Sequence, residues 1–394
     1  MKISVITIGC KVNQYESDSL IRALSKKGHQ VTDGFEPSDV YIINTCAVTA
    51  EAERKSRQTV SRAKKFNKNA IIYIIGCAAE RNAEQFSDKA DVRYISGTAG
   101  KARLALFEQL EGISVMPIPN IYEDDFRPLS LRARNYVKVQ DGCNNFCSYC
   151  ILPYIRGRSR SRPLESIIDE VRESAESSNE TVLTGINLSA YGQDIKSSLA
   201  ELLSSIKGIV RRLRLGSLEV NVIESGLLDV LADMKEFCPH FHLSLQSGDD
   251  MILKDMNRHY SREEYYNKVN LIRRYFPQSA ITTDVIVGFP TEDEEAFANT
   301  LEFIEKIDFA FVHAFPYSRR EGTKAAKYRP LDRSIVSSRM KRIESLRDRL
   351  REEYNKKFID KPLEVLIEDY EEKLYSGYSR NYIKIYSDKK AEIK

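Results

Sequence analysis

Over the first 112 residues, short apolar runs alternate with longer amphipathic stretches. KISVITIG, DVYIINT, AIIYIIG and VRYIS are apolar almost throughout, as strands buried on both faces of a sheet are. Between them, ESDSLIRALSKKG and AERKSRQTVSRAKKF carry apolar residues at helical spacing. A strand–helix alternation of this kind predicts a parallel sheet with helices covering it. Residues 113–134 break the pattern with Pro117, Pro119, Pro128 and the acidic run Glu123, Asp124 and Asp125, which predicts a linker.

The alternation resumes at 135. YVKVQ, TVLTG, LRLGS, FHLSLQ, ITTDVIVG and FAFVHAF are strand-like, with helical stretches between them. Six such units predict a partial or complete parallel (β/α) barrel over residues 135–330. Residues 331–357 form a basic helical connection. From 358 to 394 the pattern changes to a small β segment, with PLEVLIED and NYIKIYS as strands and a Gly-Tyr-Ser-Arg turn between them. So short a segment is small for a closed barrel.

The 394-residue length suits several domains, and 42% hydrophobic residues allow a sizeable core. No apolar run is long enough for a membrane span, and the N-terminal apolar run is too short for a signal peptide. A cytoplasmic protein with no membrane partner is expected. The net charge of +3 hides strong patches: residues 319–351 carry twelve basic against four acidic residues, and residues 51–68 seven against two. Such patches are candidates for a polyanion.

The seven cysteines are an odd number in a chain without an export signal, which favours metal binding over disulfides. Cys143, Cys147 and Cys150 follow the strand YVKVQ in the loop DGCNNFCSYC. Three thiolates so close converge on one metal centre. An iron–sulfur cluster normally takes four cysteines, so three leave an open coordination site, as a catalytic metal does. A structural zinc site or unrelated core cysteines are the alternatives. Cys10, Cys46 and Cys77 each stand at the carboxyl end of a predicted strand, where parallel sheets build ligand sites. They either converge on a second centre or are buried small residues, each for its own reason. Cys238 belongs to neither set and is expected to be structural.

The CxxxCxxC spacing followed by β/α units resembles the radical S-adenosylmethionine superfamily. GCKVNQYES, INTCAVT and IGCAAE, with DGCNNFCSYCILPYIRGRSRSRP, LTGINLSAYG, HLSLQSG, VIVGFPTE and AFPYSRREGTKA, resemble the methylthiotransferase family over nearly the whole chain. The resemblance implies a flavodoxin-like N-terminal domain over 1–112, a radical S-adenosylmethionine barrel and a C-terminal segment like a TRAM domain, a small RNA-binding β-barrel. It implies two 4Fe–4S clusters. One, on Cys143, Cys147 and Cys150, cleaves S-adenosylmethionine. The other, on Cys10, Cys46 and Cys77, delivers sulfur. Tyr149, Gly185, Asn187, Ser217, Glu219, Gln246 and Arg258 fall where the family binds the cofactor. The Lys-Val-Asn after Cys10 is similar to the branch acting on N6-threonylcarbamoyladenosine in tRNA. Partners would be tRNA, an external electron donor and a sulfur source.

Arg156, Arg158, Arg160 and Arg162 alternate. If that run is extended, all four point one way and could grip tRNA phosphates; a solvated basic strand or internal carboxylate pairs are the alternatives. Tyr375, Tyr378, Tyr382 and Tyr386 are candidates for stacking on bases, and some of them are expected to be core instead. Within the family, isopentenyladenosine in tRNA and a ribosomal protein aspartate are rival substrates. A non-catalytic iron–sulfur protein for electron transfer or RNA binding is the rival of another class. It would use four cysteines per cluster, against the three and three found here.

Overall fold

The computed structural model describes residues 1–87, 92–124, 127–128 and 133–389. The N-terminal sheet has six parallel strands, β1 (Lys2–Thr7), β2 (Gln30–Asp33), β3 (Val40–Thr45), β4 (Ile71–Gly76), β5 (Val92–Ser96) and β6 (Gly112–Ser114), in the order 2-1-3-4-5-6. Helices α1 (Lys11–Lys26), α2 (Ala50–Phe66), α3 (Cys77–Arg81) and α4 (Glu84–Ser87) connect them. Alternate side chains build two cores. Ile3, Val5, Val40 and Ile42 meet Leu20 and Leu24 of α1, while Tyr41, Ile43, Ile72 and Ile74 meet Val60 and Ala63 of α2. The sheet is thus covered on both faces, as its nearly unbroken apolar strands require. α2 starts where the Thr49 side chain accepts from the Ala52 N–H at 3.1 Å. Glu51 and Glu53 fill its first turn, Lys64 and Lys65 its last, matching the helix dipole. The sequence pattern missed the short edge strands β2 and β6, and Gly112–Ser114 overlaps the start of the expected linker.

The rest of that linker lies against the protein where it is described. Tyr122 donates to the Lys138 carbonyl at 2.9 Å, and Asp124 pairs with Arg162 at 2.7 Å. Residues 125, 126 and 129–132, including Asp125, lie outside the described residues.

The second unit contains β7 (Arg134–Asp141), α5 (Leu152–Ile155), β8 (Arg160–Ser161), α6 (Leu164–Ala175), β9 (Glu180–Gly185), α7 (Leu199–Ile206), β10 (Leu213–Leu215), α8 (Ser225–Ala232), β11 (His240–His242), α9 (Asp250–Asp255), α10 (Arg262–Tyr275), β12 (Ala280–Val287), α11 (Glu294–Ile307) and β13 (Phe311–Pro316). β7, β9 and β10 are parallel neighbours, as are β11, β12 and β13. Parallel bridges Leu213–Phe237 and Leu218–Leu243 join the two sets. Among the described residues no ladder joins β13 to β7, so the six predicted strands form an open barrel. Val137, Val139, Leu183, Phe241, Leu243, Ile281 and Val285 pack outward against the helices. Their alternates Lys138, His242, Thr282 and Asp284 therefore face inward.

Helix α12 (Arg333–Lys356) crosses to a three-stranded antiparallel sheet, β14 (Val365–Glu371), β15 (Leu374–Ser379) and β16 (Lys384–Ser387). Part of the expected Gly-Tyr-Ser-Arg turn is instead in the middle strand, and the reversal comes at Glu372 and Lys373, both at positive φ. Residues 390–394 of the expected C-terminal segment lie outside the described residues.

The C-terminal segment also corrects the tyrosine expectation. Tyr382 stacks on His240 at 4.0 Å and Tyr378 on Tyr382 at 4.7 Å. Arg214 donates to the Ser379 and Arg380 carbonyls at 2.6 and 3.0 Å, and Arg212 to the Tyr378 carbonyl at 3.2 Å. These residues close the end of the barrel where its strands begin and are not open platforms for bases. Tyr386 remains exposed.

Candidate functional site

The β1, β3 and β4 strands end side by side and carry Cys10, Cys46 and Cys77 just beyond their ends. Asn13 ties two of these turns together, donating to the Ile8 carbonyl at 2.8 Å and the Thr45 carbonyl at 3.0 Å. The Thr45 hydroxyl donates to the Ile75 carbonyl at 2.6 Å and accepts from the Ala78 N–H at 3.2 Å, joining the turns of Cys46 and Cys77. Gly9, at φ +115°, makes the close approach feasible: a Cβ there would stand 2.9 Å from the Cys46 sulfur. Cys46 and Cys77 are buried, whereas Cys10 is exposed.

The second cysteine loop leaves β7 through Gly142. A Cβ at Gly142 would lie 2.0 Å from the Arg158 carbonyl, and its φ of +69° is left-handed, so glycine is required. The Cys143 N–H donates to the Gly157 carbonyl at 3.0 Å. Asn257 braces the loop by donating to the Asn145 and Phe146 carbonyls, both at 3.1 Å. Ser148 donates its N–H to the Met256 carbonyl at 2.9 Å and accepts from the Ala325 N–H at 2.7 Å.

All six thiols are free. Burial, with Cys77 adding, pushes the Cys46 thiol up to about 12; burial, with Cys147 adding, does the same to Cys150. These sulfurs become thiolates when a metal supplies positive charge. Among the described residues no three His, Cys, Asp or Glu side chains are grouped to hold a single metal ion. Each set offers three free thiols, the donor chemistry that an iron–sulfur cluster takes.

Several other predicted residues converge on the second loop. Asn187 donates to the Cys143 sulfur at 3.8 Å, and its N–H donates to Gln140 Oε1 at 2.8 Å. Gly185 lets β9 end close to Gln140, where a Cβ would stand 2.8 Å from Oε1. Arg258 donates to the Cys147 sulfur at 3.3 Å and pairs with Glu219, which also accepts from Asn145 at 3.3 Å. Tyr149 is half-buried against the cluster of Phe289 and Ala325. Gln246, at φ +69°, links strands through its backbone. Ser217 is exposed and makes no side-chain hydrogen bond with a described residue.

The arginine row is corrected. Only Arg160 and Ser161 are extended; Arg156 caps α5, and Gly157, at φ +73°, turns the chain. Arg156, Arg160 and Arg162 are buried, and only Arg158 is exposed. Arg162 pairs with Glu170 and Asp124. Arg160 donates to the Arg156 carbonyl at 2.8 Å. Arg156 reaches the Cys77 sulfur with Nε at 3.3 Å, Asn13 Oδ1 at 2.6 Å, Glu16 at 2.6 Å and Asp141 at 3.3 Å. It thus joins the first cysteine set to the strand bearing the second. Burial alone would raise the Glu16 carboxyl, but Arg156, Lys101 and Lys138 hold it well below its usual range.

Sequence reading also missed two features of the barrel interior. His242 bridges Asp284 at 3.1 Å and the Thr282 hydroxyl at 2.9 Å. Lys11, next to Cys10, is exposed to solvent and makes no hydrogen bond or ion pair with a described residue. The only sequence signal was its place in Lys-Val-Asn.

Two family descriptions match the chain: Uncharacterized protein family UPF0004 over residues 2–97 and Radical SAM superfamily over 137–304. The chain is 34% identical to the threonylcarbamoyladenosine tRNA methylthiotransferase MtaB of Bacillus subtilis, over 96% of this chain and 88% of that one. It is 39% identical to the protein of the same name from Aquifex aeolicus, over 93% of each. It is also 35% identical to the tRNA-2-methylthio-N(6)-dimethylallyladenosine synthase of Thermodesulfovibrio yellowstonii, over 99% of this chain and 94% of that one. Among solved structures, the radical S-adenosylmethionine methyltransferase TsrM of Kitasatospora setae has the same fold. It matches with a TM-score of 0.59 at 15% identity, over 82% of this chain and 76% of that one.

Proposed function

Because this chain belongs to the tRNA methylthiotransferase family of radical S-adenosylmethionine proteins, we propose that it places a methylthio group on C2 of N6-threonylcarbamoyladenosine beside the anticodon of tRNA. The observation that carries this reading is the near full-length likeness to threonylcarbamoyladenosine enzymes, with both cysteine sets in place. A second observation favours this base over the dimethylallyl one. The threonylcarbamoyl group bears a carboxylate, and Lys11, one residue from Cys10, offers an exposed ammonium that forms no ion pair with a described residue. An apolar dimethylallyl group gives that ammonium no partner.

Cys143, Cys147 and Cys150 would hold one 4Fe–4S cluster with an open iron for S-adenosylmethionine, and Cys10, Cys46 and Cys77 a second. When bound, these groups supply radical chemistry at an aromatic C–H and the sulfur and methyl to be added. The protein's part is placement. Arg258 and Asn187 orient the sulfurs of Cys147 and Cys143. Arg156 and Asn13 hold the set of Cys10, Cys46 and Cys77 against the barrel. Tyr149 would flank the adenosyl part of the cofactor, with Gly185, Asn187, Ser217, Glu219 and Gln246 lining the strand ends around it. An external electron donor and a sulfur source complete the partners.

The test is mass spectrometry of tRNA nucleosides from cells with and without the gene. Loss of the methylthio-threonylcarbamoyl nucleoside, with its unthiolated precursor accumulating, is expected. Loss of the dimethylallyl derivative instead would overturn the choice of base, and an unchanged nucleoside profile would overturn the tRNA reading.

A further inference from the structure

The strongly basic stretch 319–351 divides into two parts that behave differently. On α12, Arg339 pairs with Glu292 and Glu294, Arg342 with Glu294, Arg347 with Asp348, and Arg349 with Glu305 and Glu353. Most of that helix's charge is therefore spent within the protein. Ahead of it, Arg319, Lys324, Lys327 and Arg329 are exposed, as is Arg333 at its first position, and none makes a hydrogen bond or ion pair with a described residue. Arg320 is the exception, buried on Glu53.

This segment is held in place beside both cysteine sets. The Ala325 N–H donates to the Ser148 carbonyl at 2.7 Å, within the Cys143–Cys150 loop. The Ala50 N–H donates to the Ser318 hydroxyl at 2.8 Å, and Glu53 takes Arg320, so its other side rests on the helix that follows Cys46. On the same cysteine loop, Arg158 is exposed over the Phe146 ring at 4.5 Å. Tyr154 and Phe315 are each about half exposed nearby in the chain, at 54% and 47%. Unneutralised cations on an anchored segment, with exposed aromatic rings beside them, are the chemistry that grips a nucleic-acid backbone and stacks its loose bases.

We propose that residues 319–333, with Arg158, form the surface that holds the phosphate backbone of the anticodon arm at the mouth of the cysteine site, and that the ion-paired arginines farther along α12 do not. The inference rests on the tRNA reading above and adds where the RNA lies. Arg319, Lys324, Lys327, Arg329 and Arg333 meet a phosphate without first breaking an ion pair, unlike Arg320, which Glu53 holds. Arg339, Arg342, Arg347 and Arg349 of α12 would have to break one to do so.

The experiment titrates a labelled synthetic anticodon stem-loop RNA with the full-length reconstituted protein at several potassium chloride concentrations. The variant Arg319→Gln/Lys324→Gln/Lys327→Gln/Arg329→Gln is compared with Arg342→Gln/Arg347→Gln/Arg349→Gln on α12, with thermal melts of both. The first variant is expected to melt like the wild type and to lose about 100-fold or more in affinity at moderate salt. Its plot of log affinity against log salt should flatten by roughly 3 to 4 units, about one for each phosphate contact removed. The α12 variant should bind within about twofold of wild type, as loss of internally paired charges predicts. If the first variant keeps wild-type affinity and slope, this surface is wrong and the tRNA reading stands. If the wild type binds no RNA but takes an acidic peptide instead, both fall.

Discussion

Lys11 stands beside Cys10 at the first turn of α1. A charge-assisted hydrogen bond to a substrate carboxylate contributes about 1.5–3 kcal/mol. Lys11→Met is therefore expected to lower kcat/KM on tRNA carrying threonylcarbamoyladenosine on the order of 10- to 100-fold. Turnover of dimethylallyl tRNA should not fall with it. Single-turnover assays on the two tRNAs check this, and an unchanged preference would remove Lys11 from substrate recognition. At this scale the cysteines were legible, three from close spacing and three from their strand ends. The arginine row was not. Alternation implies one face only if the backbone is extended, and α5 and Gly157 turn it.

At the scale of elements, Glu180 at the start of β9 organises three arginines: Nε of Arg134 and Nε of Arg214 at 2.8 Å, and Nε of Arg212 at 3.0 Å. All three hold the C-terminal segment in turn, Arg134 through Glu368 of β14 and Arg212 and Arg214 through the carbonyls of 378–380. Burial would raise the Glu180 carboxyl, but Arg214, Arg134 and Arg212 outweigh it and hold it below its usual range. Its folded pKa thus lies below the unfolded value of about 4.3. The unfolded chain takes up the proton first as pH falls. The stability Glu180 contributes is full above about 4.3 and is lost as pH falls through the folded value. Acidification below about pH 4 should loosen residues 365–387, read by hydrogen exchange at successive pH values. Glu180→Gln should destabilise the protein by about 3–5 kcal/mol at neutral pH, since it leaves buried arginines without a counter-charge. A wild-type melting curve for the variant would refute this. The sequence pattern placed the strands and helices but not this plug. Whether Tyr378 and Tyr382 meet solvent or His240 depends on what lies under the barrel.

At the scale of the molecule, Arg156 is the pin between the two cysteine-bearing units. It is fully buried and touches Cys77, Asn13 and Glu16 on one side and Asp141 on the other. Lys101 and Lys138 also pair with Glu16. Arg156→Gln leaves buried carboxylates short of positive charge, a loss of about 3–5 kcal/mol placed at the joint. Calorimetry should then resolve two unfolding transitions where the wild type has one, with faster proteolysis within residues 113–134. A single transition at the wild-type temperature would mean that the joint is held elsewhere. By itself the sequence determined the strand and helix order, the parallel topology and both sets of cysteines, because these follow from local periodicity and from positions at strand ends. Only the tertiary structure decided which charges are spent and which are free. The carboxylates that neutralise Arg156, Arg162, Arg320 and most of α12 come from other elements, whereas Arg319, Lys324, Lys327, Arg329 and Arg333 meet none among the described residues, and no pattern along the chain records that pairing.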